Sequence, residues 1–385
     1  MKALIIGLGL IGGSLAKAFK KYQIASEIAV FDPNIASCKQ AMADGVANEI
    51  CHDLSNKEEL SQYQIIVIAC PLGAFVNIAP LVFNNASETA LIFDVCSLKN
   101  FAELDFKSIH PNFNPSTFAN LPQNFIPAHP IAGSHLTGYQ NSDADLFVGK
   151  YFAVCLNKNP TELQQKFAEQ LRQIIIKIGS KPIKLPPQDH DYIYGLVSHL
   201  PQYLSFLSYT ISDINFFQIN KLSCPYLQRC FRLNYSDKYL WHEIFMLNTG
   251  LLEFFFQPWK WHFMNILTVL FNAKNPYKTI REFIIKTQDT DISPTTLTDI
   301  KKNSTEIILR LISALAYLKI PYLNKIDRAF TGKGFADFTS IVGVLSIIDE
   351  QTFNQLFNDI SSELQILFDN FNRFQFQPRT SDNFL

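Results

Sequence analysis

The sequence predicts an α/β fold over its first half, a doubly wound domain with a mostly parallel sheet, followed by an all-α domain. Three observations predict it. Apolar runs of strand length alternate with stretches of helical spacing from residue 2 to Ile183. A glycine-rich turn joins the first run to the first helical stretch. From Pro186 onward Leu, Phe, Ile and Tyr recur every three to four residues, with few turn signals between them.

Residues 2–6 (KALII) form a short apolar strand, residues 14–22 carry apolar side chains at helical spacing, and residues 27–31 form a second strand leading into Asp32, so the chain opens with a βαβ unit. Further strands are expected at 65–69, 90–95, 151–156 and around Ile183, with a helix over 161–178. Such alternation favours parallel strands covered by helices. The expected domains are 1–186, 187–285 and 286–385. The second boundary lies within Asn275–Leu297, which ends in a polar stretch, DTDISPTTL, whose Ser293–Pro294 is suited to start a helix.

Composition narrows the function classes. A chain of 385 residues, 48% of them apolar, can bury more than one core and is not a disordered protein. A net charge of −1 with 17% charged residues supplies no global field for nucleic acid or an anionic membrane, so any anionic ligand must be held by local groups. The opening MKALIIGLG lacks the three-part pattern of a signal peptide, and the apolar stretch from Trp259 to Phe271 is interrupted by Lys260, His262 and Asn265; a cytoplasmic protein without a transmembrane segment is expected. Cysteines at 38, 51, 70, 96, 155, 224 and 230 show neither a CxxC pair nor zinc spacing, which predicts reduced, mostly buried thiols and no metal site.

Gly7, Gly9 and Gly12 form G-x-G-x-x-G between the first strand and the first helix. The first glycine permits a tight turn, the second lets backbone approach a pyrophosphate, and the third lets helix pack on strand, while N–H groups at the helix start face the phosphates. Leu10 and Ile11, within this loop, and Pro71, just after the strand at 65–69, join the cofactor-binding set. Asp32, 25 residues after Gly7, suits the adenosine ribose hydroxyls and opposes a 2′-phosphate, which favours NAD over NADP. The alternative is a Rossmann-type turn that binds another nucleotide or none.

Four later phrases combine polar residues with turn formers: DVCSLK (94–99), AHPIAGS (128–134), VSHLPQ (197–202) and RLNYSDKYLW (232–241). Each alone is ambiguous. Together with the glycine loop they resemble the prephenate and arogenate dehydrogenase family, which has a Ser-x-Lys phrase after a strand, then HPIAG, then SHLPH, then an arginine ahead of a D-x-x-L-W-type helix. The resemblance covers roughly residues 1–260. It implies oxidation of a ring carbon bearing a hydroxyl, hydride transfer to NAD, and loss of the ring carboxylate as CO2 as the ring becomes aromatic.

The resemblance also assigns roles. Hydride departs easily only while the hydroxyl proton is withdrawn, and His129 matches the histidine that withdraws it. Ser97 matches a serine placed to hydrogen-bond that histidine or the hydroxyl, with a helix N-cap as its bland alternative. Arg232 matches the arginine that anchors a substrate carboxylate through a bidentate fork, with Arg229 as a competitor. Ser198, His199 and Trp241 match further substrate-site positions, Trp241 being equally compatible with a plain core role. Two positions depart from the family. Gln202 replaces the second histidine of SHLPH and cannot carry charge, and His135 stands six residues after His129 where relatives often have Glu or Asp. An acid there would pair the ammonium of arogenate, whereas an imidazole can donate to the side-chain carboxylate of prephenate.

The expected function is therefore NAD-dependent oxidative decarboxylation of prephenate to 4-hydroxyphenylpyruvate in tyrosine biosynthesis. Arogenate dehydrogenase is the first alternative and a non-catalytic nucleotide-binding regulator the second. The last hundred residues exceed what the family needs. GFADFTSIV (334–342) looks like the phrase preceding the family's substrate arginine, with Ser340 at the arginine position, and a slide of 108 residues places Arg232 on Ser340. Residues 286–385 could thus be a degenerate copy of 187–285, giving a monomeric pseudo-dimer in place of a homodimer, or chance similarity between Leu- and Phe-rich helices.

Overall fold

The computed structural model describes residues 1–133, 136–210, 233, 236–282, 304–320, 323, 326, 333–346 and 348–373. The chain divides into two compact units, Met1–Tyr192 with Met246–Asn248, and Ile193–Phe245 with Thr249–Leu385.

In the first unit, strands β1 (Lys2–Ile6), β2 (Glu27–Phe31), β3 (Glu49–Ile50), β4 (Ile65–Ile68), β5 (Leu91–Asp94) and β6 (Phe125–Ile126) form one sheet in the order β3-β2-β1-β4-β5-β6. Every pairing in it is parallel, which is the doubly wound Rossmann arrangement. The runs IIVI and LIFD are buried along their whole length, as expected of strands covered on both faces. Helices α1 (Leu10–Lys21), α2 (Ile35–Ala43), α3 (Lys57–Leu60) and α4 (Leu72–Asn85) connect these strands.

The strands expected at 151–156 and around Ile183 form, and they belong to a second sheet. There β8 (Tyr151–Cys155) pairs antiparallel with β7 (Ala128–Pro130) and parallel with β9 (Lys181–Leu185). Helix α5 (Glu162–Lys177) packs on β5 and β6 of the first sheet and on β8 and β9 of the second. Its start is set by a complete capping box: the Thr161 side chain accepts from Gln164 N–H while Gln164 accepts from Thr161 N–H, a device whose cap is worth about 1 kcal/mol. One apolar core, including Ile5, Phe19, Val67, Phe93, Val154 and Leu171, joins both sheets. Between β5 and β6 the chain packs Phe101, Phe106 and Phe118 against Phe75 and Phe113, with ring centroids 4.7–6.0 Å apart, and so gives the turn after β5 an aromatic floor.

Helix α6 (Pro187–Tyr194) carries His190 and Asp191, and the long segment of the first unit ends within it, at Tyr192. In the second unit a π turn (Gly195–His199) leads into α7 (Leu200–Thr210), then come α8 (Lys238–Leu247), α9 (Thr249–Phe271), α10 (Pro276–Arg281), α11 (Ser304–Leu318), α12 (Lys333–Thr339), a 3-10 segment (Ser340–Ser346), α13 (Glu350–Asp359) and α14 (Ser361–Arg373). α9 packs along α11, and Trp259 Nε1 donates to the carbonyl of Ser313 at 3.0 Å. Tyr317 OH reaches the carbonyl of Leu196 at 3.0 Å, and the fully buried Arg310 donates to Ser205 Oγ at 2.9 Å. Ser340, expected at the arginine position of a second copy, hydrogen-bonds the carbonyl of Asp337 at 2.6 Å. No helix among the described residues is long and apolar enough to cross a membrane. Cys38, Cys51, Cys96 and Cys155 are buried free thiols and Cys70 is half-buried; Cys224 and Cys230, like the DTDISPTTL stretch, lie outside the described residues.

Candidate active site

The glycine loop folds as its sequence requires. Gly7 adopts φ of +94°, a conformation costly for any side chain, and a Cβ there would sit 2.4 Å from the carbonyl oxygen of Ala69. A Cβ on Gly12 would sit 1.8 Å from the carbonyl oxygen of Gly7, so strand, turn and helix close on each other only if both residues are glycine. Gly9 differs: a Cβ there would meet nothing within 4 Å. Its hydrogen keeps clear a space over the first turn of α1, where no side chain caps the helix and no acidic residue stands. N–H groups at an uncapped helix start, opening on clear space, fit the pyrophosphate of a dinucleotide.

Leu10 and Ile11, part-exposed, follow directly in α1. Asp32 stands beside the loop: one carboxylate oxygen accepts from Leu8 N–H at 2.6 Å and the other from Asn34 N–H at 2.7 Å. The backbone thus holds the carboxylate at the end of β2, at the position suited to ribose hydroxyls. Pro71 is exposed at the start of α4, next to the β4 turn that touches Gly7.

The second sheet carries His129, the candidate base. His129 lies on β7, opposite Ala153 of β8, and is half-buried. Its Nδ1 lies 3.0 Å from Nε2 of His190, and Nδ1 of His190 lies 2.8 Å from a carboxylate oxygen of Asp191. Asp191 also accepts from the backbone N–H groups of Lys99 at 2.8 Å and Asn100 at 2.9 Å, so α6 is tied to the turn after β5. His190 and Asp191 are buried. Burial, and then the Lys99 ammonium, push the His190 imidazole well below its ordinary pKa.

That turn is itself anchored. Lys99, fully buried, pairs with Asp94 at the end of β5 and donates to the carbonyl of Ala128 at 2.7 Å. Ser97 lies half-buried between them in sequence. The partner that the structure gives to Nδ1 of His129 is His190, which the sequence reading did not single out; its only advance signal was a His-Asp pair at the start of a helix.

In the second unit the π turn and α7 bring together three of the expected residues. His199, buried, lies edge-on to Trp241 of α8, with ring centroids 6.0 Å apart; Ser198 beside it is half-buried. Gln202, also buried, donates from Nε2 to the carbonyl of Leu233 at 2.6 Å and receives the Ser236 hydroxyl at 3.5 Å. The residue that departs from the family phrase is therefore a clamp on the chain immediately after position 232. Arg232, its competitor Arg229, and His135 lie outside the described residues. Among the described residues no group of His, Cys, Asp and Glu side chains is placed to hold a metal ion.

Comparison with known proteins gives the same two parts. Residues 15–184 match the nucleotide-binding domain of prephenate dehydrogenase and residues 186–283 match its dimerization domain. The chain is similar to the prephenate dehydrogenase of Lactococcus lactis subsp. cremoris, 30% identical over 53% of this chain and 52% of the relative, and to that of Bacillus subtilis, 25% identical over 66% of each. It spans from about half to about two-thirds of the length of these relatives. Among solved structures it is similar to prephenate dehydrogenase from Aquifex aeolicus in complex with hydroxyphenyl propionate and NAD+, with a TM-score of 0.55 and 26% identity over 66% of this chain and 84% of that one.

Proposed function

Since this chain belongs to the prephenate dehydrogenase family, we propose that it catalyses the NAD-dependent oxidative decarboxylation of prephenate to 4-hydroxyphenylpyruvate. The observation that carries the reading is His129: a half-buried imidazole whose Nδ1 is engaged by His190, in the same unit as a glycine loop suited to a dinucleotide.

NAD, held by the Gly7–Gly12 loop, Asp32 and the start of α4, supplies the hydride acceptor. His129 takes the proton of the ring hydroxyl, so that negative charge builds on that oxygen as the C–H bond weakens. Once CO2 departs and the ring becomes aromatic, the same proton returns to the oxygen, and the overall reaction neither consumes nor releases one. Ser97, in the turn that Lys99 anchors, hydrogen-bonds the hydroxyl. Arg232 binds a substrate carboxylate, Ser198 and His199 are further substrate-binding residues, and Gln202 steadies the chain that follows the arginine. Trp241 lines this region beside His199. His135, in place of an acid, favours prephenate over arogenate.

The matched dimerization domain supports assembly as a homodimer, with prephenate as the small-molecule partner. Residues 286–385, whose described part belongs to the second unit, would replace the partner if they are a degenerate copy; a solution mass of one chain instead of two selects that alternative.

The test is NADH formation by purified protein with prephenate and with arogenate, each with NAD and NADP. The reading expects the highest kcat/KM with prephenate and NAD. Higher kcat/KM for arogenate selects the arogenate alternative, and NAD binding without turnover of either substrate selects a non-catalytic regulator.

A further inference from the structure

We propose that Asp191, acting through His190, fixes the tautomer of His129, holding the proton on Nδ1 and leaving Nε2 as the nitrogen that receives the substrate proton. The inference rests on the function proposed above and adds two positioning residues that touch neither substrate nor cofactor.

The argument is one of donors and acceptors. A carboxylate offers only lone pairs, and Asp191 receives two backbone N–H groups as well as Nδ1 of His190, so Nδ1 of His190 carries a proton. His190 is neutral because burial and the Lys99 ammonium both oppose a second proton. A neutral imidazole protonated at Nδ1 has a bare Nε2, and that lone pair faces Nδ1 of His129 at 3.0 Å. His129 Nδ1 must then be the donor, which leaves Nε2 of His129 unprotonated. Both rings are thereby held in the Nδ1–H tautomer, the one that a free histidine side chain disfavours in water.

The charges around His190 are consistent with this. Its own helix supplies Asp191; the turn after β5 supplies Lys99, paired with Asp94; β7 supplies His129; and the Cys155 thiol on β8 is pushed up by burial and remains uncharged. The direction set by Asp191 therefore passes through one ring to the next. As Nε2 of His129 gains a proton, the resulting cation donates more strongly from Nδ1 into the His190 lone pair.

Two measurements test this. With 15N-labelled histidine in the full chain, long-range proton–nitrogen spectra near pH 8, with His129 assigned by its loss in His129→Asn, should show His129 protonated at Nδ1 and bare at Nε2. The opposite tautomer overturns the inference whether or not the protein turns prephenate over, so its failure is distinguishable from failure of the functional reading.

The second measurement is kinetic. His190→Leu should lower kcat roughly 100-fold, with the KM values for prephenate and NAD changing less than about twofold, and should move the acid limb of kcat/KM to lower pH because the His129 cation loses its acceptor. His190→Gln, whose amide can donate to Asp191 and accept from His129, should keep kcat within about tenfold of the parent. Equal losses in the folded Gln and Leu variants, or an unmoved acid limb in the Leu variant, overturn it. If the Leu variant does not fold, the wild-type spectrum decides alone.

Discussion

Lys99 and Asp94 form an ion pair in which neither side chain is exposed to solvent. Both also hold Ala128, the residue before His129: Lys99 Nζ donates to its carbonyl at 2.7 Å, and an Asp94 oxygen accepts from its N–H at 3.1 Å. The other Asp94 oxygen accepts from Cys96 N–H at 2.9 Å. The pair thus joins the end of the parallel sheet to the strand that carries His129.

Removing one member should strand a buried charge. Lys99→Met is expected to destabilise the protein by about 3–5 kcal/mol in urea unfolding, whereas Lys99→Met with Asp94→Leu should recover much of that loss. Equal instability of the single and double variants would refute the stranded-charge explanation.

The glycine loop offers a contrast within five residues. Gly12→Ala should lower the melting temperature by several degrees because its Cβ would overlap the Gly7 carbonyl, while Gly9→Ala should leave it nearly unchanged and weaken NAD binding at least about tenfold. Melting curves and fluorescence titration with NAD separate the two effects.

His129→Asn should cut kcat by roughly a thousandfold with KM altered little, and Arg232→Ala should mainly raise KM for prephenate. Steady-state rates at several NAD concentrations check both, and the reverse pattern would exchange the roles assigned to the two residues.

Gln202→Leu leaves the buried carbonyl of Leu233 without its donor. A stability loss of about 1–3 kcal/mol is expected, together with a KM increase for prephenate larger than that for NAD, since the loosened chain follows Arg232. An unchanged substrate KM in the folded variant would leave Gln202 with a packing role alone.

Stability should also report the neutral state of His190. Its folded pKa lies well below 6.5, so under acid the unfolded chain binds a proton that the folded one refuses, and stability falls as pH drops below about 6.5. This group contributes a slope of at most about 1.4 kcal/mol per pH unit. Urea unfolding of wild type and His190→Gln between pH 5 and 8 should show two curves that run parallel above pH 7 and converge below pH 6.

The parts of the site held by local chemistry were legible in the sequence. The glycine spacing, Asp32 after an apolar run, and the Thr161 start of α5 each depend on neighbours within a few residues or one βαβ unit. Strands β3 and β6, two residues each, give periodicity nothing to register. The run at 151–155 is apolar throughout, like the other buried strands, and nothing in that pattern says which sheet it joins. His190 and Asp191 escaped notice for a related reason: polar residues in the first turn of a helix ordinarily face water, and only the second sheet, which sets His129 opposite residues 61 positions later, buries them. Gln202 could be read as a loss of charge, but its grip on Leu233 required the tertiary structure.

The π turn at Gly195–His199 fits one extra residue into a helical turn, with Leu200 N–H reaching back to the carbonyl of Gly195. A residue advances about 100° around an α-helix, so the insertion works as a phase shift for everything after it. Deleting one residue from this turn would let it close as an ordinary α turn and leave α7 in its present orientation, with Gln202 still aimed at Leu233, whereas inserting one more would overfill the turn and rotate α7 by that angle. Sequence length across these five positions should therefore tolerate the loss of one residue far better than the gain of one.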